Sequence, residues 1–245
     1  MAFAQAWTGV SRKDIDAGTT LVAAAITTVT GRTVVVGVTR DNAAPGTTDI
    51  ADNMSNTYTR ITTVQVTSGD FLGLYYCENI IGGAGHTITL SNVGGRFAVL
   101  TAVALSGVLT SGVLDSGSGT NTGSGVSTLT TGNKTTSVKD DLIGYFAIAT
   151  SSNQTWNNNG SSTVRSSSGN GATTATGGLY TRDAIAAGTV TVTGNYGNET
   201  GNYAAIFAGF KNVTTAPPPY HRSQRFFRRM SGLLVPAGLV LGKAT

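Results

Sequence analysis

Charged side chains are scarce in this sequence: they make up 11% of the residues, against about a quarter in typical soluble domains. The formal net charge of +4 is also unevenly placed. Residues 1–217 hold 11 Lys and Arg against 12 Asp and Glu, whereas residues 218–245 hold 5 basic residues and no acid. Because nucleic-acid-binding domains need clustered basic residues, we expect no nucleic-acid partner for the nearly neutral part.

Cysteine and long apolar runs are missing as well. Cys77 is the only cysteine, so no intrachain disulfide can form, and its apolar surroundings "FLGLYYCENI" predict a small buried side chain. No run reaches the ~18 apolar residues of a membrane helix, which argues against a membrane partner. The N-terminus "MAFAQAWTGVSRKD" lacks a basic start followed by an apolar core, so we expect synthesis in the cytoplasm without a secretory signal.

Residues for catalysis and metal binding are few. His86 and His221 are the only histidines; a Ser–His–Asp arrangement stays open because its members need not be adjacent in sequence. Zinc sites need His and Cys sets that the chain lacks. Two acidic stretches offer oxygen ligands for calcium, but neither matches a Ca²⁺ loop, and polar turns explain them equally well: Asp14 and Asp16, and Asp49, Asp52 and Asn53. We therefore expect no catalytic residue, no cofactor and no metal, and a protein that is not an enzyme.

Glycine, threonine, serine and asparagine are abundant, and short apolar or alternating runs are each closed by turn-forming residues. This pattern predicts eight to ten β-strands and no helix before residue 218. The run "RFAVLTAVALSGV" is the longest and predicts a central strand buried on both faces. The favoured architecture is all-β, an antiparallel, jelly-roll-like β-sandwich over residues 1–217.

Two polar stretches interrupt the strands, over residues 116–133 and 151–178. We interpret them as long loops of one sandwich, since the strands on either side are too few for separate cores, although linkers between two domains are the alternative. "GSGTNTGSG" lacks the strand, helix and closing Lys of a phosphate-binding loop, so it is interpreted as a flexible loop.

Aromatic side chains offer a second kind of site, because their faces can stack on sugars. Trp156, in "SSNQTWNNNG", is the best candidate for glycan stacking; packing over a sheet edge or in a subunit contact is the alternative. The other aromatic candidates are Tyr75, Tyr76, Tyr180 and Tyr203.

Five segments, in the order "DNMSNTYTRI", "LYYCENIIGGAGHTITL", "VALSGVLTSGVLD", "DDLIGYFAIAT" and "YAAIFAGFK", carry a resemblance. Together they resemble a diffuse family of β-sandwich domains found in structural proteins of tailed phages and in bacterial surface proteins. The resemblance spans roughly residues 20 to 211 and consists of strand and turn patterns. It implies a β-sandwich and a structural role, and it brings no shared catalytic residues.

The segment 218–245 lies outside that resemblance and differs in composition from the rest. Pro217, Pro218 and Pro219 favour an extended spacer. The spacing of arginines and apolar residues then predicts a short amphipathic helix over about residues 221–232, followed by the apolar stretch "LLVPAGLVLG".

A membrane-surface helix, a nucleic-acid arm and a protein-docking arm all fit the composition of this segment; the docking arm is favoured because basic and apolar residues are mixed. Its predicted docking residues are Tyr220, Arg222, Arg225, Phe226, Phe227, Arg228, Arg229, Met230, Leu233, Leu234, Leu239 and Leu241.

These observations predict a non-enzymatic virion protein of a tailed bacteriophage, assembled in the host cytoplasm. More narrowly, they predict a capsid cement or decoration protein whose C-terminal arm binds the major capsid protein or another virion protein. Such proteins often sit at three-fold positions, which suggests a homo-oligomer and, as a guess, a trimer. The alternatives are a receptor-binding tail-fibre or adhesin domain that recognises a host-surface glycan and, third, a bacterial surface lectin.

Overall fold

A computed structural model of the chain describes residues 3–13, 20–41, 43–66, 69–93, 97–115, 118–149, 154–168, 176–183, 186–197 and 200–213. These ranges are all-β, with no helix among them. The predicted C-terminal arm, 218–245, lies outside the described residues.

The described residues form eighteen strands, more than the eight to ten that the sequence predicts. In chain order they are β1 (Phe3–Lys13), β2 (Leu21–Val22), β3 (Thr33–Asp41), β4 (Ile50–Asp52), β5 (Thr59–Gln65), β6 (Asp70–Cys77), β7 (Ile88–Leu90), β8 (Phe97–Leu105), β9 (Gly119–Val126), β10 (Thr128–Thr130), β11 (Lys134–Thr136), β12 (Asp140–Ala149), β13 (Trp156–Asn157), β14 (Thr163–Ser168), β15 (Gly177–Asp183), β16 (Gly188–Val190), β17 (Thr193–Tyr196) and β18 (Gly201–Lys211).

Two five-stranded antiparallel sheets dominate the fold, and we call them the main sheets. The first has the order β1-β8-β3-β6-β5 and the second β14-β15-β12-β18-β9. Two three-stranded sheets, β2-β7-β4 and β10-β17-β13, are the cap sheets, and β11 and β16 form a separate pair.

The sheets stack as four layers around three hydrophobic clusters. The first cluster lies between the first cap sheet and its main sheet, and includes Trp7, Val36 and Ile88. The second joins the inner faces of the two main sheets, with Val103 and Ile206 among its members. The third fills the space between the second main sheet and its cap sheet.

Strands covered on both faces explain the continuous apolar runs. β8 lies between β1 and β3, and eight of its nine residues are buried. The prediction of a central, doubly buried strand for this run is confirmed. A strand with one face toward solvent would instead alternate apolar and polar residues.

The chain repeats the same strand order twice. Residues 3–105, the first half, contribute a first, last, third, sixth and fifth strand to one main sheet and a second, seventh and fourth to one cap sheet. When the separate pair of β11 and β16 is left out of the count, residues 119–211, the second half, place β9, β18, β12, β15 and β14 in that same order, and β10, β17 and β13 in the same cap positions.

Register pairs confirm the correspondence residue by residue. Gly37 pairs with Leu74 and Thr101 in the first half, and Tyr145 pairs with Leu179 and Ile206 in the second. The sequence Gly-Leu-Tyr stands at the same place in both halves, at residues 73–75 and 178–180.

Irregularities recur at the same place as well. β5 has a register shift between Arg60 and Thr62, and β14 has one between Val164 and Ser166. Each shift faces the same Leu-Tyr step of the neighbouring strand, at residues 74–75 and 179–180. A shared bulge position is a specific feature of backbone geometry, so it marks the two halves as repeats of one plan.

The two main sheets face each other with approximate two-fold symmetry. β1 lies along β14, and the corresponding strand β9 lies along β5; likewise β8 lies over β15 and β18 over β6. Gly37 and Tyr145 occupy equivalent positions and also meet each other. A Cβ atom on Gly37 would lie 2.5 Å from Tyr145 Cδ2, so only glycine leaves room for this ring.

The polar stretch 116–133 contains an edge strand and a cap strand. β9 pairs with β18 along Gly119–Val126, and β10 follows immediately. The prediction of a loop at "GSGTNTGSG" was therefore wrong. The strand has no apolar face because it lies at the edge of its sheet with largely exposed side chains, so its sequence carries no strand periodicity.

Candidate functional site

The predicted docking residues, from Tyr220 to Leu241, lie outside the described residues, as does His221. The acidic pair Asp14 and Asp16 also lies outside them. The remaining candidates, Trp156, the other aromatics and the acids between residues 49 and 52, lie in the described part of the fold.

Trp156 is 5% exposed and belongs to the cluster under the second cap sheet. Its ring centroid lies 4.9 Å from that of Tyr196 and 6.1 Å from that of Tyr180. Its Cε3 atom would lie 2.5 Å from a Cβ atom on Gly178, so the ring lies against that backbone. Packing accounts for the position of this ring, although its buried Nε1–H finds no hydrogen-bond partner among the described residues. Glycan stacking on it stays a prediction that would require the cap to open.

Two tyrosine candidates perform the same structural task in the two halves. The Tyr75 hydroxyl donates to the carbonyl of Gly46 at 2.6 Å, and the Tyr180 hydroxyl donates to the carbonyl of Asn157 at 2.7 Å. In the first half this bond joins a main sheet to the loop before β4, and in the second half it joins the other main sheet to β13. Tyr203 is also buried, and the ring of Tyr76 packs against Phe210.

Asp49 forms a buried ion pair instead of an open ligand site. Its Oδ2 atom accepts hydrogen bonds from Arg40 Nη1 at 2.8 Å and from the Gly46 amide at 2.7 Å. Asn92 Nδ2 donates to its other oxygen at 2.9 Å. The Gly46 contact closes the loop before β4 on itself, and the contacts with Arg40 and Asn92 hold that loop to β3 and to the chain after β7, so this carboxylate serves the fold.

Asp52 and His86 form the most concentrated polar cluster of the described residues. His86 Nε2 lies 2.9 Å from Asp52 Oδ2, and both side chains are fully buried. His86 Nδ1 lies 2.7 Å from the Thr28 hydroxyl. With the ring proton on Nε2, the imidazole donates to Asp52 and accepts from Thr28.

Four further donor groups, from three residues, converge on the Asp52 carboxylate. The amides of Met54 and Asn56 each donate to Oδ1 at 3.0 Å. The Asn56 side chain and the Tyr58 hydroxyl donate to Oδ2 at 2.7 and 3.0 Å. Such a fan of donors around one carboxylate stabilises its charged form.

The electrostatics follow from these contacts. Burial acts to raise the pKa of Asp52, but hydrogen bonds from Asn56, His86 and Tyr58 together outweigh it, so the pKa lies below its usual value. For Tyr58, burial and then the adjacent Asp52 charge raise the pKa of the phenol. Asp52 is therefore an anion and Tyr58 a neutral donor at neutral pH.

The order Thr28, His86, Asp52 resembles that of a hydrolase triad, with the two ring nitrogens exchanged. Access differs, however, because Thr28 is 4% exposed and the Trp7 ring stands edge-on to His86 at a centroid distance of 5.3 Å. Trp7 Nε1 also donates to the His86 carbonyl. The hydroxyl has no open approach for a substrate, so the geometry supports a structural clamp.

The second half shows what this fold needs at the same place. Ile26 and His86 form a bridge in the first half, and the matching pair in the second half is Lys134 and Val190. Valine therefore satisfies the architecture where the first half has histidine. Among the residues that the structure describes, this polar cluster occurs in the first half alone, so the strand plan does not require it.

Sequence reasoning considered His86 for catalysis and Asp52 and Asn53 for calcium, and set all three aside; it did not predict the cluster, and it missed Thr28 and Trp7. Thr28 lies in "AAITTVT", where no spacing separates it from neighbouring threonines. The repeat could have located it, because the chain around residue 28 corresponds to the chain around residue 136. Sequence identity between the two halves is too low to reveal this correspondence, which becomes visible only in the pairing registers of the strands.

Among the described residues, no group of three or more His, Cys, Asp or Glu side chains is placed to hold a metal ion. Nor does that part of the chain contain a helix long and apolar enough to cross a membrane. Cys77 is buried, and burial followed by the charge of Asp52 raises the pKa of its thiol to about 11.

Comparison with known proteins adds no relative: no family model, no curated protein and no solved structure matches the chain.

Proposed function

We propose that this protein is a non-enzymatic structural component of a tailed-phage virion, a capsid cement protein whose body is displayed and whose C-terminal arm attaches it. The observation that carries the proposal is the division of charge. Residues 218–245 hold 5 basic residues and no acid, after a proline break, whereas the preceding residues are nearly neutral. A body without a basic surface and an arm of arginines and apolar residues suit display and attachment respectively.

In this proposal each half of the body is a jelly roll. Support comes from the strand orders β1-β8-β3-β6 and β2-β7-β4, which are those of an eight-stranded roll whose strands alternate between two sheets. One departure is that β5 lies beside β6, in the main sheet, instead of beside β4. The resemblance to phage and surface β-sandwich domains agrees with this interpretation.

The closed polar clusters of the body also favour a structural role. Asp49, Asp52 and His86 direct their polar atoms to partners within the fold. Trp156, the residue on which the receptor-binding alternative depended, is packed under a cap sheet. No observation on the described residues favours that alternative.

Location and copy number test the proposal. Virions purified from the host that carries this gene are analysed by quantitative mass spectrometry. We expect a copy number comparable with that of the major capsid protein. A copy number comparable with that of a tail fibre, or absence from the particle, would contradict the cement function.

The arm is tested separately with particles that lack the protein. We expect full-length chain to co-sediment with them and a chain ending at residue 217 to remain in the supernatant with an unchanged circular dichroism spectrum. In the matched pair, replacing the four arginines 222, 225, 228 and 229 by Glu abolishes binding, whereas replacing them by Lys retains part of it. Binding by the truncated chain would refute the arm model.

A further inference from the structure

We draw no further inference here: the strongest candidate, the surface patch at the β5 edge of the first main sheet, where the apolar side chains of Ile61, Val64 and Tyr76 are only partly buried, carries none because nothing in the structure shows what covers it.

Discussion

At the scale of single residues, Asp52 is a heavily hydrogen-bonded carboxylate among the described residues. Five donors converge on its two oxygens, from Met54, Asn56, Tyr58 and His86. These donors belong to the segment after β4 and to the chain before β7, so the carboxylate fastens these two segments of the first cap to each other. Hydrogen bonds to a charged carboxylate are stronger than those to a neutral group of the same shape, so the charge of Asp52 contributes to this contact.

Replacing Asp52 by Asn tests this role through pH. The folded-state pKa lies below the ordinary value of 3.8, so the charged carboxylate stabilises the fold fully above that value and the stabilisation is lost as the pH falls through the folded pKa. At pH 7 we expect Asp52→Asn to lower the free energy of unfolding by about 1–3 kcal/mol.

The difference in the free energy of unfolding between wild type and Asp52→Asn should narrow as the pH falls below about 4. Urea unfolding at a series of pH values measures it. Two stability curves that stay parallel down to acid pH would show that the charge of Asp52 contributes nothing.

At the scale of elements, β3 ends with an aspartate and its neighbour β6 begins with one, so two like charges meet at one end of this strand pair. Asp41 lies directly opposite Asp70 in the antiparallel register. Burial, and then the charge of Asp41, raises the pKa of Asp70 to about 6. Like charges opposite each other destabilise a strand pair, so this end of the ladder is weaker than its apolar middle.

Asp70→Asn should therefore stabilise the protein at pH 7. Because the folded-state pKa is raised, the wild-type fold is unpenalised below pH 3.8 and loses stability as the pH rises through about 6. We expect a gain of about 1 kcal/mol at pH 7, reduced for the partial exposure of the group, and no gain at pH 3.5. Asp41→Asn, which removes only the neighbouring charge, should give a smaller gain; a destabilised Asp70→Asn variant would contradict this account.

The same scale shows which elements a sequence can predict. The buried runs of β3, β8 and β18 are long and apolar, so their strand character follows from composition alone. Cap strands such as β2 and β13 are two residues long, and no periodicity exists over that length. β9 is an edge strand of Gly, Thr, Asn and Ser, fixed by its hydrogen bonds to β18 and not by its own preferences.

The candidate site was partly predictable for a similar reason. Histidine and aspartate are rare in this sequence, so His86 and Asp52 stand out. Their partnership joins the fourth strand to the chain before the seventh, which only the folded topology brings together. The burial of Trp156 likewise depends on Tyr180 and Tyr196, which are distant in sequence.

At the scale of the whole body, the two halves share one core. The cluster between the main sheets draws side chains from both halves, including Leu74 from the first and Ile206 from the second. Neither half alone can exclude water from these residues. Unfolding one half would therefore expose the inner face of the other, which predicts a single cooperative transition.

The two tryptophans make this testable, because Trp7 lies in the first half and Trp156 in the second. In the single-tryptophan variants Trp156→Phe and Trp7→Phe, fluorescence in guanidinium reports one half at a time. When each variant is compared with circular dichroism on the same sample, the two probes should give the same midpoint. Adding Ile206→Ala, which should cost about 2–5 kcal/mol, should lower both midpoints together; a shift confined to the Trp156 signal would show that the halves unfold independently.

The contact of Gly37 with the ring of Tyr145 has a consequence for the length of the gene. A repeated plan would in principle let a coding sequence of half the length supply both halves as two identical chains. Two copies of the first half would place glycine opposite glycine and leave a gap, and two copies of the second would drive two rings into the same space. A gene of half this length could therefore build this core from two identical chains only if the residues at these two positions also changed.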